Sequence, residues 1–404
     1  MSMLKLLGRN ILRQKGRTAL TLAAIGIGVA SLILSGGFVE DILLQLRDAT
    51  IRSQLGHLQI YKKGYFGTGG QRPLDFLIDD AESAERAIAA SPGIAVRTRR
   101  LGFLGLINNG KGELPIIGEG VETEKEARIG SSISMLSGRP LTVRDDFGII
   151  IGEGLASAMK IKVGDPVNLL VSTRDGAINT LEFKVLGIFR SLSKEYDARA
   201  VRVALKASQE LTLTSGINAI VVLLENTDDT SRARAQISNR LPSELEVKAW
   251  PELADFYQGT VAFYERQFAV LQAIILVMVL LGVANSVNMT LNERTLEFGI
   301  IRALGYTGRH VFRLAVLETT LVGAIGSALG VTLGVVLALV ISAIGIPMPP
   351  PPNSEAGFTG AIRIVLAILL KSFGLGVAAS IVAALAPARH VSRLPLVDAL
   401  RRGV

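Results

Sequence analysis

Residues 105–112, Gly-Leu-Ile-Asn-Asn-Gly-Lys-Gly, come within one side chain of a phosphate-binding loop. Such a loop cradles phosphate with glycine-rich backbone and a lysine, and ligates Mg²⁺ through the Ser or Thr that follows. Gly112 stands where that hydroxyl is needed, and Asn109-Gly110 between two apolar runs is a hairpin signal, so the segment reads as a turn. Gly374-x-Gly376-x-x-Ala379 imitates a dinucleotide fingerprint, yet it lies inside an apolar run with no strand ahead of it. His57, His310 and His390 have no partners at zinc spacing, and the chain has no cysteine and no Gly-x-Ser-x-Gly. The expectation is a chain that is not an enzyme and that binds no cofactor or metal.

The remaining polar signals sit in or between apolar runs. Asn285, Asn288 and Asn292 fall three and four residues apart, on one helical face. Amides in lipid need partners, so this face is expected to meet protein or water, either as helix–helix contacts or as a substrate path. Glu318 and Lys371 are ionisable residues inside otherwise uncharged runs, a placement that marks either function or a local partner. For Glu318 both readings stand, the partner being a nearby arginine; Lys371 reads as snorkelling outward. Gly326, Gly330 and Gly334 repeat every four residues, a small-residue face that admits close helix approach, within the bundle or between subunits. The densest signal is the segment 292–305, Asn-Glu-Arg-Thr-Leu-Glu-Phe-Gly-Ile-Ile-Arg-Ala-Leu-Gly. It predicts a short amphipathic helix with Leu296, Ile300 and Leu304 on one stripe, Glu293, Glu297 and Arg302 as polar groups, and Gly305 as the stop.

These residues must be positioned by four apolar runs. Thr18–Val39 and Gln267–Asn292 carry no charge over 22 and 26 residues; Leu314–Ile346 carries only Glu318, and Ile364–Ala388 only Lys371. A bilayer core needs roughly 20 apolar residues, so all four are expected to span, over 17–39, 267–291, 312–346 and 363–387. The first run is longer than a signal-peptide core and reads as an uncleaved anchor. Ahead of it, residues 3–15 pattern as an interfacial amphipathic helix, with Lys5, Arg9 and Arg13 facing anionic lipid.

Arginine and lysine bias sets the orientation. Arg9, Arg13 and Arg17 precede the first run, Arg294, Arg302, Arg309 and Arg313 follow the second, and Arg389, Arg393, Arg401 and Arg402 close the chain. The loop at 347–358 has neither residue type. Both termini and the 292–308 segment are therefore expected in the cytoplasm, with a domain at 40–266, a short loop at 347–362 and a tail at 388–404. The net charge of +8 belongs mainly to these membrane-proximal segments and does not point to nucleic acid. The 40–266 region alternates strand and helix signals, including strands at Gly56–Tyr61, Gly148–Gly152, Val167–Val171, Leu181–Phe189 and Ala219–Leu224. It reads as a mixed α/β domain without disulfides, entering the second span through a helix from Pro251.

With that layout, Glu293-Arg294 and Glu297-Phe298-Gly299-Ile300-Ile301-Arg302-Ala303-Leu304-Gly305 resemble a signature segment of the FtsX/MacB-type permeases. Pro387-Ala388-Arg389, then Pro395 and Ala399-Leu400-Arg401, resemble their closing motif. The resemblance implies a four-span membrane protein in a 1+3 layout with an extracytoplasmic MacB-like periplasmic core domain. It also implies an ABC exporter permease in the inner membrane that pairs with itself or a homologue. A cytoplasmic ATPase dimer, holding ATP and Mg²⁺ on a separate polypeptide, would dock on the 293–305 coupling helix. Length and layout are most similar to the lipoprotein-releasing Lol permeases, which implies lipoprotein release and a periplasmic chaperone or adaptor. Macrolide-type efflux and control of cell-wall hydrolases are the family alternatives.

Overall fold

The computed structural model describes residues 15–129, 133–191, 193–348 and 358–395. Residues 3–14 of the interfacial helix expected over 3–15, much of the 347–362 loop, and Ala399, Leu400 and Arg401 lie outside them. The chain forms two compact units, one built from residues up to Leu44, Thr260–Met348 and Thr359 onward, the other mainly from Gln45–Gly259.

In the first unit the apolar runs become four long helices: α1 (Lys15–Thr50), α2 (Asp255–Glu293), α4 (Gly308–Ile344) and α5 (Leu366–Arg393), with the short α3 (Thr295–Ala303) between α2 and α4. All four long helices have the length and apolarity to cross a membrane. Helix α5 continues through the buried Pro387 to Arg393, beyond the span end expected at 387. A spanning helix tolerates the missing N–H where neighbouring helices shelter the freed carbonyl. The core is narrow and built from small and β-branched residues. Ile25, Val29 and Ile33 of α1 share a cluster with Val279, Val283 and Val287 of α2 and with Ala379, Ala383 and Ala384 of α5.

The glycine stripe of α4 decides how tightly this bundle closes. A methyl group on Gly330 would stand 2.7 Å from the Gly26 carbonyl oxygen and 2.8 Å from Val29 Cβ. At Gly334 it would meet Ala30 Cα at 3.2 Å, and at Gly326 Ile25 Cβ at 3.0 Å. The stripe is thus filled within the bundle, by α1, which resolves the two packing readings of the sequence. At one end of the bundle the buried Asp41 of α1 accepts from Arg363 Nε at 3.0 Å and from the Ala361 N–H at 2.8 Å. This clamp fixes the chain just ahead of α5.

The second unit is a ten-stranded mixed sheet. Its strands are β1 (Leu58–Lys62), β2 (Ile94–Asn108), β3 (Glu113–Val121), β4 (Ser134–Gly138), β5 (Gly148–Gly152), β6 (Pro166–Ser172), β7 (Ile178–Arg190), β8 (Ala200–Ala204), β9 (Ala219–Leu224) and β10 (Leu245–Ala249). Their order is β10-β1-β9-β2-β3-β8-β5-β7-β4, with β6 pairing β2 and β7. The long β2 runs beside β9 through its first half and beside β6 through its second. It therefore belongs to two apolar clusters, one around Phe103, Phe183 and Leu169, the other around Leu58, Ile220 and Val222 with the helices Ala81–Ala89 and Thr230–Ser238.

Candidate functional site

The 292–305 segment folds as a helix held at both ends. The Thr295 hydroxyl donates to the Asn292 carbonyl at 2.7 Å, bending the chain out of α2 and into α3. At the far end Gly305 takes φ +96°, its N–H donates to Arg302 O at 3.0 Å, and the Tyr306 N–H reaches Ile301 O at 3.4 Å. That is a Schellman stop, which glycine provides without strain.

Arg294 is the hinge of the arrangement. Its Nε donates to Glu297 Oε2 at 2.9 Å, its Nη1 reaches both oxygens of Glu318 at 2.8 Å, and its guanidinium lies 5.3 Å from the Phe298 ring centre. Glu318 of α4 therefore has the local arginine partner that was one of its two readings. Arg302 donates to the Leu394 carbonyl at the end of α5. Thus α3 is tied to α4 through one arginine and to α5 through the other.

The two faces of α3 differ sharply. Phe298 is 2% exposed, and Thr295 and Gly299 are also buried. Leu296, Ile300 and Leu304 are 37%, 49% and 74% exposed. Phe298 and Gly299, expected with the partner-facing residues, instead pack against the bundle, because the stripe at i, i+4 and i+8 leaves them on the opposite side. Likewise Glu297 and Arg302 spend polar contacts inside the chain. Beside Arg294, a cavity of about 350 Å³ is lined by Thr18, Thr21, Ser286, Glu293 and Glu318 among others. The Thr21 and Ser286 hydroxyls bond to each other across it.

Asn285, Asn288 and Asn292 all lie on the exposed face of α2, where the Asn292 amide donates to Asn288 Oδ1 at 3.4 Å. The valines facing the bundle occupy the opposite side. Lys371 is exposed on α5. Of the closing motif, Pro387 is buried, while Arg389 and Pro395 are exposed.

The chemical look-alikes are structural. Asn109 and Gly110 turn β2 into β3, with Gly110 at φ +79° and Asn109 Oδ1 accepting from the N–H groups of Lys111 and Gly112 at 3.0 Å. Gly374–Ala379 lies within α5. His57 is 3% exposed; its Nδ1 accepts from the Leu224 N–H at 3.0 Å, which leaves Nε2 to donate to Thr227 Oγ1 at 2.9 Å. Burial, reinforced by Arg52, pushes its pKa down to about 4. Sequence reading missed one charged cluster in the sheet. Arg202 on β8 lies 3.0 Å from Glu119 of β3 and 3.5 Å from Glu126, which also binds Arg100 of β2. Burial alone would raise the Glu119 carboxyl, but Arg202 and Arg100 hold it below its ordinary range. The register that places Glu119 opposite Arg202 is invisible without the sheet order.

The family profile of the MacB-like periplasmic core domain matches residues 18–240, more than half of the chain, and that of the FtsX-like permease C-terminal region matches 269–396. The chain belongs to the FtsX/MacB-type family of ABC transporter permeases. This permease is 22% identical over 320 residues to the lipoprotein-releasing system transmembrane protein LolC of Xylella fastidiosa, covering 76% of this chain and 73% of that one. It is 23% identical over 286 residues to the ABC transporter permease MJ1507 of Methanocaldococcus jannaschii, covering 69% and 68%. With the macrolide export ATP-binding/permease protein MacB of Nitrobacter winogradskyi it shares 24% over 332 residues, 77% of this chain and 48% of that one. Among solved structures it is similar to the periplasmic region of MacB from Actinobacillus actinomycetemcomitans, at 12% identity and a TM-score of 0.39, over 50% of this chain and 94% of that one.

Proposed function

We propose that this permease couples ATP hydrolysis in a separate cytoplasmic ATPase to mechanical work outside the membrane, with release of lipoproteins or related amphiphiles from the inner membrane as that work. The observation that carries the reading is the exposed Leu296, Ile300 and Leu304 stripe on a helix whose other face and both ends are fixed to the bundle. An apolar stripe on a short rigid element is a docking surface for a protein groove, and its attachment to α4 and α5 lets a push on it reach the spanning helices. In this reading both termini and α3 lie in the cytoplasm, and ATP and Mg²⁺ stay in the ATPase. The exposed asparagine face of α2 meets a second permease, since amides facing lipid would lack partners. The large sheet domain offers its surface to a periplasmic chaperone or adaptor.

The lipoprotein assignment leans on the LolC relative and on the layout of one span, a large domain and three spans. It is tested with the permease and its ATPase reconstituted in proteoliposomes carrying an acylated lipoprotein. ATP should release the lipoprotein into solution, and retention of all of it would reject this cargo. The MacB relative favours a second reading, efflux of a drug or peptide through an adaptor. Drug hypersensitivity on deletion, without lipoprotein retention, would select it.

A further inference from the structure

Four arginines converge on one cavity at the end of the bundle that carries α3. Arg302 from α3, Arg309 from the first turn of α4, and Arg389 and Arg393 from the last turns of α5 line a space of about 690 Å³. We propose that this cavity is a binding site for the phosphate of an anionic phospholipid headgroup.

Three observations support it. First, none of the four has a carboxylate partner among the described residues, and two acids of this end of the bundle, Glu297 and Glu318, pair with Arg294. Guanidiniums gathered without acids at a concave site suit an anion that accepts several N–H donors at once. Second, the cavity opens on the N-terminus of a 37-residue helix. Thr307 caps it without a side-chain hydrogen bond, and its carbonyl takes the His310 N–H at 2.9 Å, so the Gly308 and Arg309 N–H groups and the positive end of the helix dipole are left for an anion there. Third, the site is held in place by tight backbone packing. A methyl group on Gly308 would stand 2.6 Å from the Ser392 carbonyl oxygen, so α4 starts directly against the end of α5. Arginines enriched at a cytoplasmic edge are ordinary for topology. Their convergence from three elements onto one cavity is a stronger arrangement than topology demands.

The source of the phosphate follows from what flanks it. On α5, Leu385 and Val382 lie four and seven residues before Arg389, on the same helical face, and are 43% and 52% exposed. A headgroup seated among the arginines would lay its acyl chain along that face. A soluble phosphate compound would make no use of it.

The full-length permease in detergent, without its ATPase, is probed by native mass spectrometry with dioleoyl phosphatidylglycerol against dioleoyl phosphatidylcholine. Phosphatidylglycerol should be retained preferentially. Arg309→Gln with Arg389→Gln should weaken it about 30-fold, from roughly fivefold per lost charge. Arg313→Gln, exposed on α4 outside the cavity, should leave binding unchanged. Arg309→Lys with Arg389→Lys keeps the charge and should retain most of the binding. Equal retention of both lipids, or full binding by the double Gln variant, would overturn the proposal. So would equal loss in the Lys and Gln pairs with the far-UV circular dichroism of both unchanged, since retained charge should keep most of the binding. Stoichiometric displacement by millimolar inorganic phosphate would also overturn it, in favour of a soluble anion.

Discussion

Replacing Gly330 by Ala sets two computable effects against each other. A glycine inside a helix costs about 0.5–1 kcal/mol relative to alanine, so the substitution gains that much if the methyl has room. Here it has none: Gly26 O, Val29 Cβ and Gly26 Cα would lie at 2.7, 2.8 and 3.0 Å. Two of those atoms are backbone, so α1 and α4 must separate, and overpacking of this kind costs roughly 1–3 kcal/mol. Because the obstacle cannot rotate away, the upper part of that range applies, and Gly330→Ala should lose about 1–2 kcal/mol net. Gly374, with nothing within 4 Å of its added methyl, is the internal control and should gain from the same change. A double-mutant cycle sharpens the test. A methyl on Gly376 would press on Ser327 Oγ, an atom without a hydrogen bond, so Ser327→Ala should relieve Gly376→Ala and show favourable coupling. Val29→Ala keeps its Cβ and should not relieve Gly330→Ala. The assay is reversible unfolding in mixed micelles against SDS, followed by far-UV circular dichroism. If Gly330→Ala proves as benign as Gly374→Ala, or if Val29→Ala rescues it, the close approach of α1 and α4 is wrong.

Other outcomes follow from the remaining sites. Leu296→Glu with Ile300→Glu should abolish permease-stimulated ATPase activity while changing stability by no more than about 0.5 kcal/mol, since both side chains are exposed. Glu318→Gln should destabilise the unit by about 1–3 kcal/mol in the same SDS titration, because Arg294 is left largely buried with Glu297 as its one charged partner among the described residues. The His57 imidazole titrates at about 4 when folded and at its ordinary value near 6.5 when unfolded, so the unfolded chain binds the extra proton between those values. Its contribution to stability is therefore complete above about pH 6.5 and is lost as pH falls toward about 4. Fluorescence of Trp250, the single tryptophan, reports on that unit, and the pH slope should flatten in His57→Gln. Glu126→Gln should cost about 3–5 kcal/mol by the same readout, because it removes a carboxylate that buried Arg100 and Arg202 share.

Much of this molecule is written locally in its chain. The uncharged runs give the long helices because length and apolarity suffice to define a span. Asn109-Gly110 gives its hairpin because few residues accept that turn, and Gly305 ends α3 for the same reason. What depends on distant neighbours stayed hidden. The stripe of Gly326, Gly330 and Gly334 announced a close contact, but only the folded bundle shows that Gly26 and Ala30 of α1 fill it. Glu318 looked like an isolated charge in an apolar run because Arg294, its partner, lies 24 residues away on the other side of a turn. Phe298 and Leu296 are both apolar and two residues apart, and sequence alone does not say which one the bundle claims. The four arginines of the α4–α5 cavity were visible as topology signals, while their convergence needed three helix ends in register.

The central claim is that the exposed stripe of α3 docks an ATPase. The chain has no cysteine, so a single photo-crosslinking residue or cysteine can be placed at Ile300 in an otherwise unreactive permease. Crosslinking in membranes followed by mass spectrometry should give an adduct between position 300 and an ABC ATPase, absent when the probe is moved to the buried position 298. An adduct to lipid alone, or equal adducts from both positions, would contradict the account.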